Sequence, residues 1–340
     1  MSVKIHDVAR EAGTTIGTVS KALNNSHTIS GEMTAHVKAV AERLGYRPNA
    51  RAQMLARQSN REIVFMTHLP KDIAFTSPHM FEILAGAESP LASKGYTIKL
   101  RGCDTGNVCI LAKDIMERKF ADGLLLHASV VTRELAVLLT RAEIPHIVIG
   151  KPSFQNSLCW IDNNNQLAGE LAAGHLLDLG HRAVAFIGGL EDDRISQDRL
   201  EGVKSRFKEH RLKLDAANVY KGESTVKSGA DMARALIGNM PDAIICANNL
   251  LAYGCLRMLQ RKGVAVPDDI SLITFDDYPL AQLVSPALTT VSIDVYEMRV
   301  SAGKLLVNKM KKPELHVQTF TTMPRLIIRE STAEKHGAKA

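Results

Sequence analysis

The 340-residue chain has no uninterrupted apolar run near the eighteen or so residues that a membrane-spanning helix needs. Its first ten residues, MSVKIHDVAR, lead straight into a polar helix. The apolar core of a secretory signal is therefore missing, and a cytoplasmic location is expected. Cysteine is scarce and odd in number: Cys103, Cys109, Cys159, Cys246 and Cys255 contain no C-x-x-C pair. That argues against a disulfide framework and against a thiolate metal centre. The twelve histidines are scattered with no H-x-x-x-H spacing, so no metal ion is expected. A phosphate-cradling G-x-G-x-x-G is also absent. The first apolar run, Ile63 to Leu69, leads into Pro70-Lys71-Asp72, and Ile187-Gly188-Gly189-Leu190 is too short a glycine cluster for that role. No nucleophile–base pair stands out, so an enzyme is disfavoured and no cofactor is expected.

What is present is an ordinary globular composition, 45% apolar and 23% charged, over a length that suits two or three domains. The net charge of +6 is unevenly spread. Residues 1–58 carry Lys4, Arg10, Lys21, Lys38, Arg43, Arg47, Arg51 and Arg57 against Asp7, Glu11, Glu32 and Glu42. Eight cations against four carboxylates leave a surplus of four in the head and two in everything else. A basic head on a near-neutral body suits a phosphate backbone as partner.

Within that head, Asp7 to Asn24 has a helical period: Val8 and Ala12 lie one turn apart, and so do Val19 and Leu23. Gly13 between them is placed to stop a first helix, and Thr15 to cap a second over roughly Ile16 to Asn24. Two short helices at a tight turn form a helix-turn-helix, whose second helix is shaped for a DNA major groove. A plain small helical bundle is the alternative. Ser30 caps a third helix, with Glu32 near its positive end and Val37, Val40, Ala41 and Leu44 as its inner stripe. Gly45 ends it.

The order Ile5-His6-Asp7-Val8-Ala9, Ala12-Gly13, Thr18-Val19-Ser20-Lys21-Ala22-Leu23-Asn24 and Leu44-Gly45-Tyr46-Arg47-Pro48-Asn49 resembles the DNA-binding head of the lactose-repressor (LacI/GalR) family. The resemblance runs through the rest of the chain nearly end to end. It implies a fold class of an all-α helix-turn-helix head plus an α/β periplasmic-binding-protein-like effector domain of two doubly wound parallel-sheet lobes. It also implies DNA contacts from Thr15, Ile16, Gly17, Thr18, Ser20, Lys21 and Asn24. Thr18 and Ser20 suit phosphates. Ile16, Gly17 and Lys21 hold the base-reading positions. Gly17 has no side chain, so readout should fall on Ile16 at apolar edges and on Lys21 at guanine acceptors.

Residues 47–60 hold Pro48 and then a short helical run that is marginal in water on its own. The family's hinge helix stands here, which implies minor-groove roles for Asn49, Ala52, Gln53 and the wedge Leu55. A plain linker is the alternative. From Ile63 onward, IVFMTHL, YTIKL, GLLLHA, HIVIG, AVAFIG, AIICA and ISLITF read as strands buried on both faces, alternating with helices. The expected division is a head over 1–46, a hinge over 47–60, a first lobe over 61–160 plus about 291–322, and a second lobe over 161–290 plus about 323–332. A polar tail fills 333–340. The stretch after Arg329, ESTAEKHGAKA, lacks leucine heptads, so a C-terminal tetramer bundle is not expected.

Two such lobes place a ligand between them at strand ends. By resemblance, Arg199, Asn248 and Asp276 bind the effector, although Arg199 and Asp276 could instead pair across the cleft as a structural salt bridge. The other wall is expected at His79, Met80 and Phe81, where a Met-Phe pair serves equally as core. Trp160 and Asp162 are further candidates, the tryptophan as a flat surface for a sugar ring or simply as a buried residue. Two departures from the family pattern stand out: Gly222-Glu223-Ser224 lacks the usual aromatic, and Ile293 replaces the expected glutamine. IVIGKP…WIDNNN and SQDR resemble the branch with maltose-operon regulators, so a maltose-like or other neutral oligosaccharide is the first expectation.

The resemblance thus implies a homodimeric transcriptional regulator, most simply a repressor, on pseudo-palindromic operator DNA, with ligand shifting its operator affinity. A global regulator docking a phosphorylated carrier protein, or a sensor of a non-sugar metabolite, are the alternatives. A solute-binding protein is opposed by the DNA head.

Overall fold

The computed structural model describes residues 3–47, 59–71, 79–320 and 322–335. The expected hinge contacts Asn49, Ala52, Gln53 and Leu55 lie outside the described residues, as does the side chain of His79.

The head holds helices α1 (Ile5–Glu11), α2 (Ile16–Leu23) and α3 (Gly31–Arg43). Gly13 and Gly45 take the positive φ that ends α1 and α3, at +62° and +67°. Thr15 Oγ1 accepts from the Thr18 amide at 3.1 Å, and Ser30 Oγ from that of Met33 at 3.3 Å, so both helix starts are capped as their sequences suggest. Val8, Ala9 and Ala12, Val19 and Ala22, and Val37, Val40 and Ala41 close one small core. Because α2 buries only Val19 and Ala22, the opposite face of that helix is left to solvent.

The remainder alternates strands and helices. The strands in chain order are β1 (Glu62–Thr67), β2 (Thr97–Gly102), β3 (Gly123–His127), β4 (His146–Ile149), β5 (Trp160–Asp162), β6 (Val184–Gly188), β7 (Val219–Lys221), β8 (Ala243–Cys246), β9 (Ser271–Phe275), β10 (Thr289–Ser292), β11 (Gln318–Phe320) and β12 (Arg325–Ile327). They form two six-stranded sheets among the described residues, ordered β11-β5-β4-β3-β1-β2 and β12-β10-β9-β8-β6-β7. Their pairings are parallel except that of β12 with β10, in which Thr290 faces Ile327. Strands β4, β6, β8 and β9 are buried along their whole length, as sheets covered by helices on both faces require.

The helices are α4 (His79–Ala92), α5 (Val108–Glu117), α6 (Arg133–Arg141), α7 (Asn165–Asp178), α8 (Arg194–Glu209), α9 (Val226–Leu236), α10 (Asn249–Arg261), α11 (Pro279–Leu283) and α12 (Val295–Lys311). Two pairs approach backbone to backbone. A Cβ on Gly169 would lie 2.0 Å from Arg199 O, and one on Gly202 1.9 Å from Gln166 O, so α7 and α8 touch only because both residues are glycine. Gly229 and Gly254 do the same for α9 and α10, at 2.2 and 2.0 Å.

The chain changes sheets slightly later than its composition suggests. Trp160–Asp162 is one buried strand of the first sheet, paired with β4 and β11, so the first crossover follows Asp162 and not Trp160. Val291 sits in β10 of the second sheet, and the return begins after Ser292, with α12 packing on α4. The start of the expected tail is also tied down. His181 Nε2 lies 2.9 Å from Ala333 O, and Lys335 Nζ lies 2.7 Å from Asp242 Oδ2.

Candidate functional site

The solvent face of α2 carries the residues expected to read DNA. Ile16 is 51% exposed, and Gly17 and Lys21 are exposed beside it. Ile16 takes no part in the small core of the head. Thr15 and Thr18 share a hydroxyl contact of 3.0 Å, while Asn24 Nδ2 donates to Ser20 O at 2.8 Å and closes the helix end. The turn and caps therefore hold Ile16, Gly17, Ser20 and Lys21 on one short rigid helix. That arrangement can present side chains to base edges while the flanking hydroxyls face phosphates.

At the carboxyl end of β9, Asp276 adopts φ +66°, a conformation uncommon for any residue but glycine. It is held there by its amide on Val291 O at 3.0 Å and by Asn249 Nδ2, which donates to its carbonyl at 2.7 Å. Its carboxylate takes two bonds from Arg199 of α8, at 3.2 and 3.3 Å. Arg199 also donates from Nε to Asn165 Oδ1 at 3.1 Å and from Nη1 to Ala247 O at 2.6 Å, and its guanidinium lies 4.4 Å over the Phe275 ring. The two residues are only 3% and 5% exposed. Both belong to the second lobe, so the pair does not bridge the cleft. It stiffens one wall, with the charge of each side chain matched.

Asn248 is the N-cap of α10, accepting from the Leu251 amide at 3.0 Å. Its amide donates to Ser224 Oγ at 2.9 Å, and that hydroxyl reaches Asp193 Oδ2 at 3.4 Å. Ser224 thus links Asn248 to Asp193 through its hydroxyl.

On the first lobe, His79 opens α4, Met80 is buried in the core of the sheet and Phe81 is 56% exposed. Trp160 is 8% exposed, its ring set edge-on to Phe320 at 5.5 Å with the Lys151 ammonium 5.8 Å away. Most of its surface is thereby covered. Asp162 accepts from the Lys151 and Asn163 amides at 2.9 and 2.7 Å, and burial pushes its carboxyl upward.

A cavity of about 560 Å³ opens between the lobes. Of the residues expected from the sequence, Asp276 lines it directly and Arg199 braces Asp276 from behind. Glu82, Asp277, Tyr278 and Arg325 complete much of the wall and were not legible as site residues. Ile293, at the position where a glutamine is expected, also lines it. Asp277 is paired with Arg329 at 2.7 Å. The Tyr278 hydroxyl is held protonated, first by burial and then by Asp276 and Glu82. Among the described residues no cluster of histidine, cysteine and carboxylate side chains could hold a metal ion, and no helix is long and apolar enough to cross a membrane.

Residues 4–49 match the model for bacterial regulatory proteins of the lacI family, and residues 173–332 match that for a periplasmic binding protein-like domain. The HTH-type transcriptional repressor PurR of Vibrio parahaemolyticus is 30% identical over 334 residues, covering 96% of this chain and 98% of its own. The chain belongs to the lacI family. As a lacI-family protein it is a DNA-binding transcriptional regulator under ligand control, not an enzyme. Among solved structures, the complex of the regulator CelR with cellobiose is 25% identical, with a TM-score of 0.73 over 97% of this chain and 99% of that one. The lac repressor dimer on operator shares the fold at a TM-score of 0.82, with 22% identity over 98% of this chain and 100% of that chain.

Proposed function

We propose that this lacI-family regulator is a cytoplasmic repressor that binds a pseudo-palindromic operator as a homodimer and is controlled by a neutral sugar or oligosaccharide held between its lobes. The observation that carries the ligand reading is the cavity of about 560 Å³ with Asp276 on its wall, a size in the usual range for small-molecule sites. An ionised carboxylate accepts hydrogen bonds and donates none, so it suits a ligand rich in hydroxyl groups. CelR, a structural relative, is named as a complex with cellobiose, which has that chemistry. Arg199 and Asn249 brace Asp276, Asn248 caps α10 beside Ser224, and Trp160 and Asp162 border the first lobe's strand ends. On the DNA side, Ile16 and Lys21 read bases, Thr15, Thr18, Ser20 and Asn24 fix register, and Asn49, Ala52, Gln53 and Leu55 follow the minor groove.

Control is a population shift: a sugar that binds one lobe arrangement better than the other moves the equilibrium and with it the operator affinity. A ligand with equal affinity for both arrangements changes nothing. Titration with neutral sugars, followed by the emission of the single tryptophan Trp160, tests this directly. A saturable change with at least one sugar supports the reading. A flat response to all of them, with operator binding intact, refutes it.

A further inference from the structure

We infer that Glu82, held from behind by the buried Arg299, is the first lobe's counterpart of Asp276, and that the two carboxylates together admit a neutral polyol and turn away anions. The inference rests on the ligand-cleft reading above and names the chemistry that the cleft selects.

Arg299 lies on α12 and is 1% exposed, the largest fully buried side chain among the described residues. It fills the seam where α12 meets α4 so closely that a Cβ on Gly86 would lie 2.8 Å from its own Cβ. An apolar side chain would fill that seam without the cost of desolvating a guanidinium. Its Nε has no partner among the described residues, and burial lowers its pKa, so the charge is kept at some expense. What it holds is Glu82: Nη1 donates to Oε2 at 2.8 Å. Glu82 is itself 41% exposed on its side chain and lines the cavity. Arg299 is therefore a positioning residue, and Glu82 is the group that meets the ligand.

The second lobe repeats the arrangement. Asp276 lines the same cavity and is gripped by the buried Arg199. Asp277 has Arg329 behind it. In each pair the carboxylate lies on the cavity wall and the guanidinium behind it, since none of these three arginines lines the cavity. Tyr278 lines the same cavity. A ligand that enters meets carboxylate oxygens from both lobes. Sugar hydroxyls can donate to them, whereas a phosphate or carboxylate group brings only further acceptors and meets carboxylate oxygens ahead of the guanidiniums behind them. Among the described residues Arg325 is the one cation that lines the cavity, and Asp294 on the same wall offsets that charge.

The test uses the full-length protein with cellobiose, maltose and ribose as neutral probes and glucuronate and glucose 6-phosphate as anionic ones, read by thermal shift and tryptophan emission. Wild type is expected to bind a neutral probe and neither anion. Glu82→Gln, which keeps the shape and removes the charge, is expected to weaken the best neutral probe about tenfold or more and to narrow its advantage over the matching anion. Arg299→Lys should reduce neutral-probe affinity while anions stay excluded, a pattern that general loosening of the fold does not produce. If that variant does not fold, Glu82→Gln decides alone, because its side chain is well exposed. Equal binding of a neutral probe by wild type and Glu82→Gln, or tighter binding of an anion by wild type, overturns the inference and leaves the ligand-cleft reading standing. No response to any probe, with operator binding intact, overturns both.

Discussion

Removing Arg199 and neutralising Asp276 are different experiments, although the two side chains form one pair. Arg199→Ala leaves a buried carboxylate without its counter-charge and strips donors from Asn165 and Ala247 O, so it should cost about 3–5 kcal/mol of stability. Asp276→Asn keeps the shape and should abolish the sugar response at a smaller cost. Urea denaturation separates them, and an equal loss in both would contradict this asymmetry. A second residue sets an acid limit. Burial lowers the pKa of His146 from 6.5 to about 4. Its Nδ1 meets Ile144 O at 2.6 Å and its Nε2 accepts from the Cys159 amide at 3.3 Å. Below its ordinary pKa the unfolded chain binds a proton that the folded chain refuses. Stability is therefore whole above about pH 6.5 and falls as pH drops towards 4, by about 1.4 kcal/mol per pH unit. His175 and His181, also lowered by burial, act in the same direction. Unfolding midpoints between pH 7 and 4.5 should fall for wild type and fall less steeply for His146→Asn.

At this scale the sequence is uneven to read. Arg199, Asn248 and Asp276 come after β6, β8 and β9 in the chain, strands whose ends are recognisable in the sequence. Glu82 and Arg299 give no such signal. A glutamate and an arginine on two amphipathic helices look like solvated charges, and only the closeness of α4 and α12 at Gly86 reveals a buried pair. Trp160 is open to two readings from the sequence, a flat face for a sugar ring or a buried residue, and Phe320, from far along the chain, packs edge-on against a ring that is 8% exposed.

Helices and strands carry their own tests. Thr15→Ala removes the acceptor for the Thr18 amide and should cost the head about 1 kcal/mol, seen as faster hydrogen exchange of the α2 amides in the full-length protein. Gly202→Ala forces α8 away from Gln166 O on α7 and should cost about 1–3 kcal/mol or more. Because Arg199 rides on α8, that variant should lose sugar affinity in proportion, and retained affinity would show that the helix contact does not position the site. The longer strands were legible because a run of about four to seven apolar residues between polar segments suits a strand buried on both faces and is too short for a buried helix. Strand β2 is the exception, an edge strand exposed at nearly every residue rather than buried on both faces as YTIKL suggests. Strands β5, β7, β11 and β12 have three residues each, too few to show a period, and β10 begins with two threonines. The lobe boundaries shift by a few residues for this reason. Gly13, Thr15, Ser30 and Gly45 were clear because turn and cap chemistry is local.

The whole molecule combines a basic three-helix head with a two-sheet body whose cavity walls carry paired charges. The head's charge surplus predicts that duplex affinity falls steeply with salt, with log affinity linear in log salt concentration. The sugar, by contrast, meets groups whose charges are already paired, so its affinity should change little over the same range; a shared steep dependence would contradict the separation of roles. The measurement that bears most directly on the account is fluorescence anisotropy of a duplex enriched from a random library, titrated with full-length protein with and without saturating neutral sugar. Wild type should prefer that duplex over random competitor at physiological salt and change its affinity at least about tenfold with sugar, a coupling of ordinary allosteric size. Asp276→Asn should bind the duplex equally well and ignore the sugar. A wild-type protein with no duplex preference in either condition contradicts the account.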